Sequence, residues 1–344
     1  MECLQGTRTI AEAYEHSPNT DGFHALSTPY FPEEDEKLRA SSVTRRRGGN
    51  CPNTLQVLQQ LTSHGSTEKG LPLTLITILP SKSSVASQQI ISSFEPGINL
   101  DHCLYREGFE APASCYIIKS QSTGSRTVVN YNDLPEMTLE EFTGAADKLG
   151  HEATWFHFEG RMPEMTLKFI RYLRSQFPSV QISVEVEKPG RSGLQELAEE
   201  ADVVFYAKSW AQDLGYRTAE ECLRGQSART HNAQVSPMSE ACVEADKQVS
   251  RSLLFCTWGQ DGASALNPRT GEFAHVAAYT TENFRVVDPI GAGDTFIAGM
   301  LYALNCKFRN WGLLKKLAFA NRVAGMKVSQ EGFAGLDQAL VTFA

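Results

Sequence analysis

The 344-residue chain contains no apolar run near the roughly 18 residues that a membrane-spanning helix needs. Its first residues, MECLQGTRTIAEAY, carry no apolar segment of the kind that heads a secretory signal. A surplus of positive charge is missing as well. Forty acidic side chains against 32 basic ones give a formal net charge of −8. That disfavours nucleic-acid binding by bulk charge, because a phosphate backbone calls for clustered cations. None of the eight cysteines belongs to a CxxC pair, so the spacing suits neither a zinc site nor a disulfide framework and indicates reduced thiols. No Gly/Ser-rich or Pro-rich linker divides the chain, and no internal repeat is present. These absences point to a cytoplasmic globular protein. The 41% apolar and 21% charged residues support a sizeable core without wholesale disorder.

What is present is an alternation. Short apolar runs at Leu73–Leu79, Ala153–Phe158, Ile182–Val186, Val203–Ala207 and Leu253–Cys256 predict buried strands. Amphipathic stretches lie between them. The clearest is Glu164–Ser175, with Met165, Phe169, Ile170 and Leu173 on one face. Strands alternating with helices predict an α/β fold, a mostly parallel central sheet flanked by helices. Ser114–Lys119 and Arg126–Tyr131 break the pattern. Joined by Gln121-Ser122-Thr123-Gly124-Ser125, they predict an antiparallel hairpin inserted in the α/β body, a candidate lid. Residues 226–251 lack a sustained period and are expected to form a long loop. No convincing strand is legible in residues 1–27.

The densest chemistry lies at Val286-Val287-Asp288-Pro289-Ile290-Gly291-Ala292-Gly293-Asp294-Thr295-Phe296. A strand end at Arg285–Val287 is expected to run into a Gly-rich turn. A helix then carries Phe296, Ile297, Met300, Leu301 and Leu304 at helical spacing. Gly291 and Gly293 permit a tight turn and a close approach to a ligand. The free N–H groups of the following helical turn then face an anion. Asp294 is the unusual member. Beside such donors its carboxylate is either a helix cap or a base that takes a proton from an attacking hydroxyl.

A second cluster, Arg47-Gly48-Gly49-Asn50-Cys51-Pro52-Asn53, precedes an apolar helical pattern at Leu55, Leu58 and Leu61. Capping accounts for Asn50 and Pro52. It does not account for two consecutive glycines and a second amide, Asn53, one turn on. Gly49, Asn50 and Asn53 together could bond neighbouring hydroxyls of a sugar. Arg45-Arg46-Arg47 either edges this cluster or stays solvated.

Asp-Pro-Ile-Gly-Ala-Gly-Asp-Thr-Phe resembles the C-terminal signature of the PfkB (ribokinase-like) carbohydrate kinases, and Arg-Gly-Gly-Asn resembles their N-terminal one. Further stretches occur in the family's order. They include Glu33–Glu36, Gly124–Thr127, Phe156–Arg161, Val184–Pro189, Asp202–Phe205 and Ala219–Gly225. Within the family they are most similar to the ketohexokinase-like branch, over nearly all of residues 30–340. The resemblance implies a ribokinase-like fold with a small β-sheet lid, in segments about 28–48 and 112–132 of a kinase domain spanning 28–344. It implies ATP and Mg2+ as cofactors, a small sugar as acceptor, and a homodimer through the lid. Asp294 would be the base, and Gly291, Ala292 and Gly293 the anion hole. Asp35, Gly49, Asn50 and Asn53 would contact sugar. Arg126, Trp258, Gly259, Asp261, Gly262 and Asn321 would contact nucleotide.

The resemblance also implies a first strand ending in a sugar-binding Asp. No such strand is legible, so residues 1–27 are expected to be an atypical segment that lacks it. A catalytically impaired nucleotide-binding protein therefore stays open beside a ketohexose kinase, and so does a kinase for ribose or adenosine, because pocket shape is not legible in one sequence.

Overall fold

Apolar runs of four to seven residues, bounded by Gly, Pro or polar clusters, are too short for stable helices and long enough for buried strands. The computed structural model describes residues 9–13, 22–64, 71–232, 252–306, 310–341 and 343. In chain order its strands are β1 (Thr9–Ala13), β2 (Gly22–Thr28), β3 (Ser42–Arg46), β4 (Leu73–Ile76), β5 (Ile78–Pro80), β6 (Ile98–Asn99) and β7 (Leu104–Arg106). β8 (Ser114–Ser120), β9 (Arg126–Tyr131), β10 (Ala153–Glu159), β11 (Gln181–Val186) and β12 (Val203–Ala207) follow. The last are β13 (Leu253–Thr257), β14 (Ala263–Asn267) and β15 (Glu272–Val276). The helices are α1 (Asn50–Ser63), α2 (Val85–Ser92), α3 (Leu139–Leu149), α4 (Pro163–Gln176) and α5 (Leu194–Glu199). Then come α6 (Lys208–Asp213), α7 (Ala219–Asn232), α8 (Ala292–Asn305), α9 (Leu313–Val328) and α10 (Gln338–Val341).

Nine strands form one sheet in the order β15-β14-β13-β12-β11-β10-β1-β4-β6. Pairing is parallel from β6 to β13 and antiparallel at the β14 and β15 edge. Alternate residues of one strand serve two cores. Val203, Phe205 and Phe255 pack with α1, α8 and α9 on one face. Val204, Tyr206 and Leu254 pack with α3, α4, α5 and α7 on the other. This is a central, mostly parallel sheet flanked by helices, as the alternation predicts. His157, midway along β10, is buried, with its Nδ1 2.8 Å from Ser183 Oγ. Burial pulls that imidazole down to about 3, so it is a neutral core residue. Among the described residues no helix is long and apolar enough to cross a membrane.

A separate four-stranded sheet runs β3-β2-β8-β9. It contains the expected hairpin, β8 against β9, and adds two strands that pair parallel (β2 with β8) and antiparallel (β2 with β3).

Four expectations are corrected here. Thr9–Ala13 does form a strand, in the slot between β10 and β4, with Ile10 opposite both Trp155 and Leu73. Ala and Glu are weak strand formers, but two waiting ladders override local preference. Gly22–Thr28 is likewise a strand, so the small sheet begins before residue 28. Arg285–Val287 is not a strand. It is irregular backbone with a bend at Val287, whose N–H donates to Val328 O at 2.9 Å, and Val286 and Val287 are exposed. The expected loop 226–251 begins as helix through Asn232, and residues 233–251 lie outside the described residues. In addition, Leu73–Leu79 is divided between β4 and β5, which belong to different sheets.

α8 and α9 pack closely because Gly299 has no side chain. A Cβ there would sit 2.8 Å from Ala320 Cα, which is backbone and cannot swing away. Gly299→Ala is therefore expected to lower stability by about 1–3 kcal/mol, as overpacking does. Denaturant unfolding measures it, and an unchanged midpoint would show that the two helices have slack.

Candidate active site

Two helices begin side by side at the C-terminal ends of the parallel strands, the usual place for a ligand in such a sheet. α8 starts at Gly291, whose φ of +79° is left-handed. A Cβ there would also lie 2.4 Å from the Phe333 ring, so the position takes only glycine. No side chain caps α8; Ala292 N–H donates to Pro289 O at 3.3 Å, and the Gly293 and Asp294 N–H groups that follow are left toward the cleft. Gly293, one residue before Asp294, has open space where a side chain would be.

Asp294 is buried and does not cap the helix. Its Oδ2 accepts a 2.7 Å hydrogen bond from Asn53 Nδ2, and its carbonyl accepts from Thr54 Oγ1 at 3.2 Å. Asn53 and Thr54 lie in the first turn of α1, which starts after Gly49 at φ +96°. Asn50 does not cap α1 either. Its amide donates to Glu185 Oε2 at 2.9 Å and to Glu187 Oε2 at 3.4 Å. Capping is thereby set aside for Asn50 and Asp294, since both side chains are bonded across the cleft. Asn53 Oδ1 is buried without a hydrogen-bond partner, an acceptor beside the Asp294 carboxyl.

The cleft has a volume of about 720 Å³. It is lined by Gly291, Ala292, Gly293, Asp294, Gly49, Asn50, Asn53 and Arg126, which sequence reasoning named. It is also lined by Glu159, Arg161, Glu185, Glu187, Lys188 and Arg191, which it did not. The missed signal was a carboxylate within an apolar strand. Glu159 ends the run Phe156–Phe158, and Glu185 sits between Val184 and Val186.

Asp35 is not among the lining residues. It is exposed at φ +62°, in a surface turn where Glu36 accepts from the Glu33 N–H and from the Tyr30 hydroxyl. Trp258, Gly259, Asp261 and Gly262 form the β13–β14 turn, behind the lining residue Thr257. A Cβ at Gly262 would lie 2.0 Å from Val276 O, so that glycine has a packing reason of its own. Asn321, buried on α9, donates to Ala277 O and does not line the cleft.

Six cations (Arg46, Arg47, Arg126, Arg161, Lys188 and Arg191) face four carboxyl groups (Glu159, Glu185, Glu187 and Asp294). In a chain of net charge −8 this is a locally cationic cleft, suited to an anion. Burial raises the Asp294 carboxyl well above its ordinary range. Repulsion by Glu185 adds to this, and the Asn53 bond opposes it. Burial, then Glu187 and Glu159, raises Glu185 likewise. Behind the cradle, Asp288 Oδ2 accepts from Arg46 Nη1 at 2.7 Å and Lys327 Nζ at 2.8 Å. Burial opposes its charge, but these two bonds outweigh burial and hold the Asp288 carboxyl below the usual range. The arrangement can hold an anion at the start of α8 and a hydroxyl-bearing ligand between the α1 amides and the β11 carboxylates. It sets one buried carboxylate where the two would meet.

Glu159 is pushed up to about 8, by burial first and by Glu187 next, and its Oε2 has no hydrogen-bond partner. The folded state therefore holds a proton that the unfolded chain releases near 4.5. The stability this confers is complete below pH 4.5 and is lost as pH rises to about 8. Glu159→Gln is expected to flatten the fall of the unfolding midpoint between pH 5 and 8 and to be the more stable protein at pH 8. Parallel curves for the two proteins would contradict the assignment.

A family model described as pfkB family carbohydrate kinase matches residues 10–338. Ketohexokinase of Mus musculus is 30% identical over 318 residues, covering 89% of this chain and 92% of that protein. Ribokinase from Giardia lamblia superposes with a TM-score of 0.72 at 17% identity, covering 98% of this chain and 100% of the other. Arabidopsis thaliana ribokinase, solved with ribose and ATP, gives a TM-score of 0.70 at 14% identity over 98% and 99% of the two chains. The two ribokinases share the fold with this chain: a large parallel sheet, helices on both faces and a small second sheet. With the family signature spanning both helix starts, the chain belongs to the pfkB family of carbohydrate kinases and is a phosphotransferase.

Proposed function

We propose that the chain transfers the γ-phosphoryl group of ATP to a hydroxyl of a small sugar, a ketohexose such as fructose. One observation carries the reading. Asp294 is a buried carboxylate in the first turn of an uncapped helix, fixed by Asn53 and open to a cationic cleft. An acceptor hydroxyl beside it would lose its proton to Asp294. The backbone N–H groups of Gly291 and Gly293 would take up the charge developing on the transferring phosphoryl group, joined by that of Ala292 if it leaves Pro289 O, to which it donates at 3.3 Å. Gly49, Asn50 and Asn53 would hold the sugar, and Arg126 on the lid hairpin would reach the phosphates. Asp35, exposed in a surface turn, does not line the cleft of its own chain. Preference for a ketohexose draws on the mouse ketohexokinase match, and use of ATP on the ligands of the Arabidopsis ribokinase structure.

Thr257 would lead to the nucleotide end of the cleft, with Trp258, Gly259, Asp261, Gly262 and Asn321 shaping its wall from behind. Lys208 lies 5.6 Å over the Trp258 ring and would carry a cation to that end. Among the described residues no group of three or more His, Cys, Asp or Glu side chains is arranged to hold a metal ion. Magnesium would be carried chiefly by the nucleotide phosphates, with one or two of the cleft carboxylates sufficing to meet it, and would neutralise phosphate charge there. The outer face of the small sheet exposes Val43, Tyr116, Val129 and Tyr131. A second copy of the chain would cover them in a homodimer. The reading places the protein in the cytoplasm.

The test is ADP production from ATP with and without D-fructose. Fructose-dependent release is expected. Asp294→Asn should lower it by roughly 100- to 10,000-fold, the usual contribution of a positioned base, with ATP binding by calorimetry little changed. Near-wild-type turnover in that variant would sink the assignment. The acidic limb of the pH profile of kcat/KM should lie above the ordinary carboxylate range. Because the Asn53 amide stabilises charged Asp294, Asn53→Ala should move that limb to higher pH. A shift to lower pH would contradict the role given to the bond.

A further inference from the structure

The small sheet and the phosphate cradle share one turn. Asp288-Pro289-Ile290 leads directly into Gly291, where α8 begins. Asp288 Oδ2 is shared by two cations from different parts of the fold. Arg46 Nη1, at the end of β3 in the small sheet, donates at 2.7 Å. Lys327 Nζ, fully buried on α9, donates at 2.8 Å and also reaches the Asp288 carbonyl at 3.0 Å. The other carboxylate oxygen, Oδ1, accepts from the Ile290 N–H at 3.1 Å and so fixes the turn. Ile290 itself packs into the apolar centre of the small sheet, against Ala25, Cys115 and Ile117. The sheet thus grips the turn twice, once by charge and once by apolar contact.

We propose that Arg46 and Ile290 are positioning residues that couple docking of the lid to the backbone geometry of the cradle. The inference rests on the phosphotransferase reading above. Docked, the lid supplies Asp288 with its second cation and Ile290 with its apolar partners. The turn through Pro289, whose carbonyl accepts from Ala292 N–H at 3.3 Å, and the N–H groups of Gly291 and Gly293 are then held in place. Undocked, the turn loses both, and the donors lose their aim. Phosphoryl transfer is thereby confined to the closed state, in which bulk water is excluded. Lys327 acts from the body side as the fixed anchor, because its ammonium does not move with the lid.

The experiment uses the full chain, as wild type, Arg46→Met and Arg46→Lys, with hydrogen exchange followed by mass spectrometry. The account expects Arg46→Met to speed exchange in 42–46 and also about tenfold in 286–293, although the substitution lies on the lid. Arg46→Lys should recover part of the protection in both segments, and α3 and α4 should be unaffected. With the sugar that the wild type accepts, Arg46→Met should lower kcat about tenfold and leave the KM for ATP near its wild-type value. Faster exchange confined to 42–46 would overturn the coupling. So would uniform acceleration throughout the chain in both variants, which would mark Arg46 as merely structural. A wild-type chain with no sugar-dependent ADP release would count against the phosphotransferase reading, while the exchange pattern in 286–293 decides the coupling by itself.

Discussion

A 2.7 Å hydrogen bond between Asn53 Nδ2 and Asp294 Oδ2 joins the start of α1 to the start of α8, and the rest of the site is arranged around it. Neither helix uses its own side chain to close its N-terminus. Each leaves its first donors toward the same cleft, and the polar side chains that might have capped them reach across instead. Helix starts of this kind are anion sites by construction, through unsatisfied N–H groups and the favourable end of the dipole. Two of them converging on a carboxylate is a costly arrangement for the free protein. The cost appears as Asp294 and Glu185 carboxyl groups raised by burial and mutual repulsion. Such stored electrostatic tension is what a base beside a phosphate cradle requires.

The surrounding charges are interleaved. Glu159, Glu185 and Glu187 lie at or just past strand ends, with Arg161, Lys188 and Arg191 on the same segments, and Lys188 Nζ donates to Glu187 Oε1 at 2.7 Å. Arg46 and Arg126 add positive charge from the small sheet. A ligand that carries both hydroxyls and an anionic group fits such a lining: its hydroxyls meet the amides and carboxylates, and its charge meets the cations and the helix N–H groups. In the Lys327–Asp288–Arg46 network, charge is tolerated because each member is hydrogen-bonded.

The parallel sheet was legible because its strands are continuous apolar runs, as at Val203–Ala207, where expectation and structure coincide. The Gly-Ala-Gly-Asp turn and the Gly-Gly-Asn turn were legible because left-handed backbone and helix starts leave strong local marks. β1 was not legible. Thr-Ile-Ala-Glu-Ala has little strand preference of its own and is ordered by ladders that β10 and β4 supply from far along the chain. Glu159, Glu185 and Lys327 were missed for a related reason. Their significance lies in what faces them from distant parts of the chain, and single-chain patterns do not record it. Asp35 is placed differently from the other named residues: a local turn through Glu33 and Glu36 holds it at the surface, outside the lining of its own chain's cleft.

The most direct test of the central claim is a crystal structure of the chain with D-fructose and a non-hydrolysable ATP analogue. The account predicts one sugar hydroxyl within about 2.6–3.2 Å of an Asp294 carboxylate oxygen. It also predicts the terminal phosphate against the backbone N–H groups at the start of α8. A sugar bound with Asp294 facing only protein, or a terminal phosphate held elsewhere in the cleft, would contradict it.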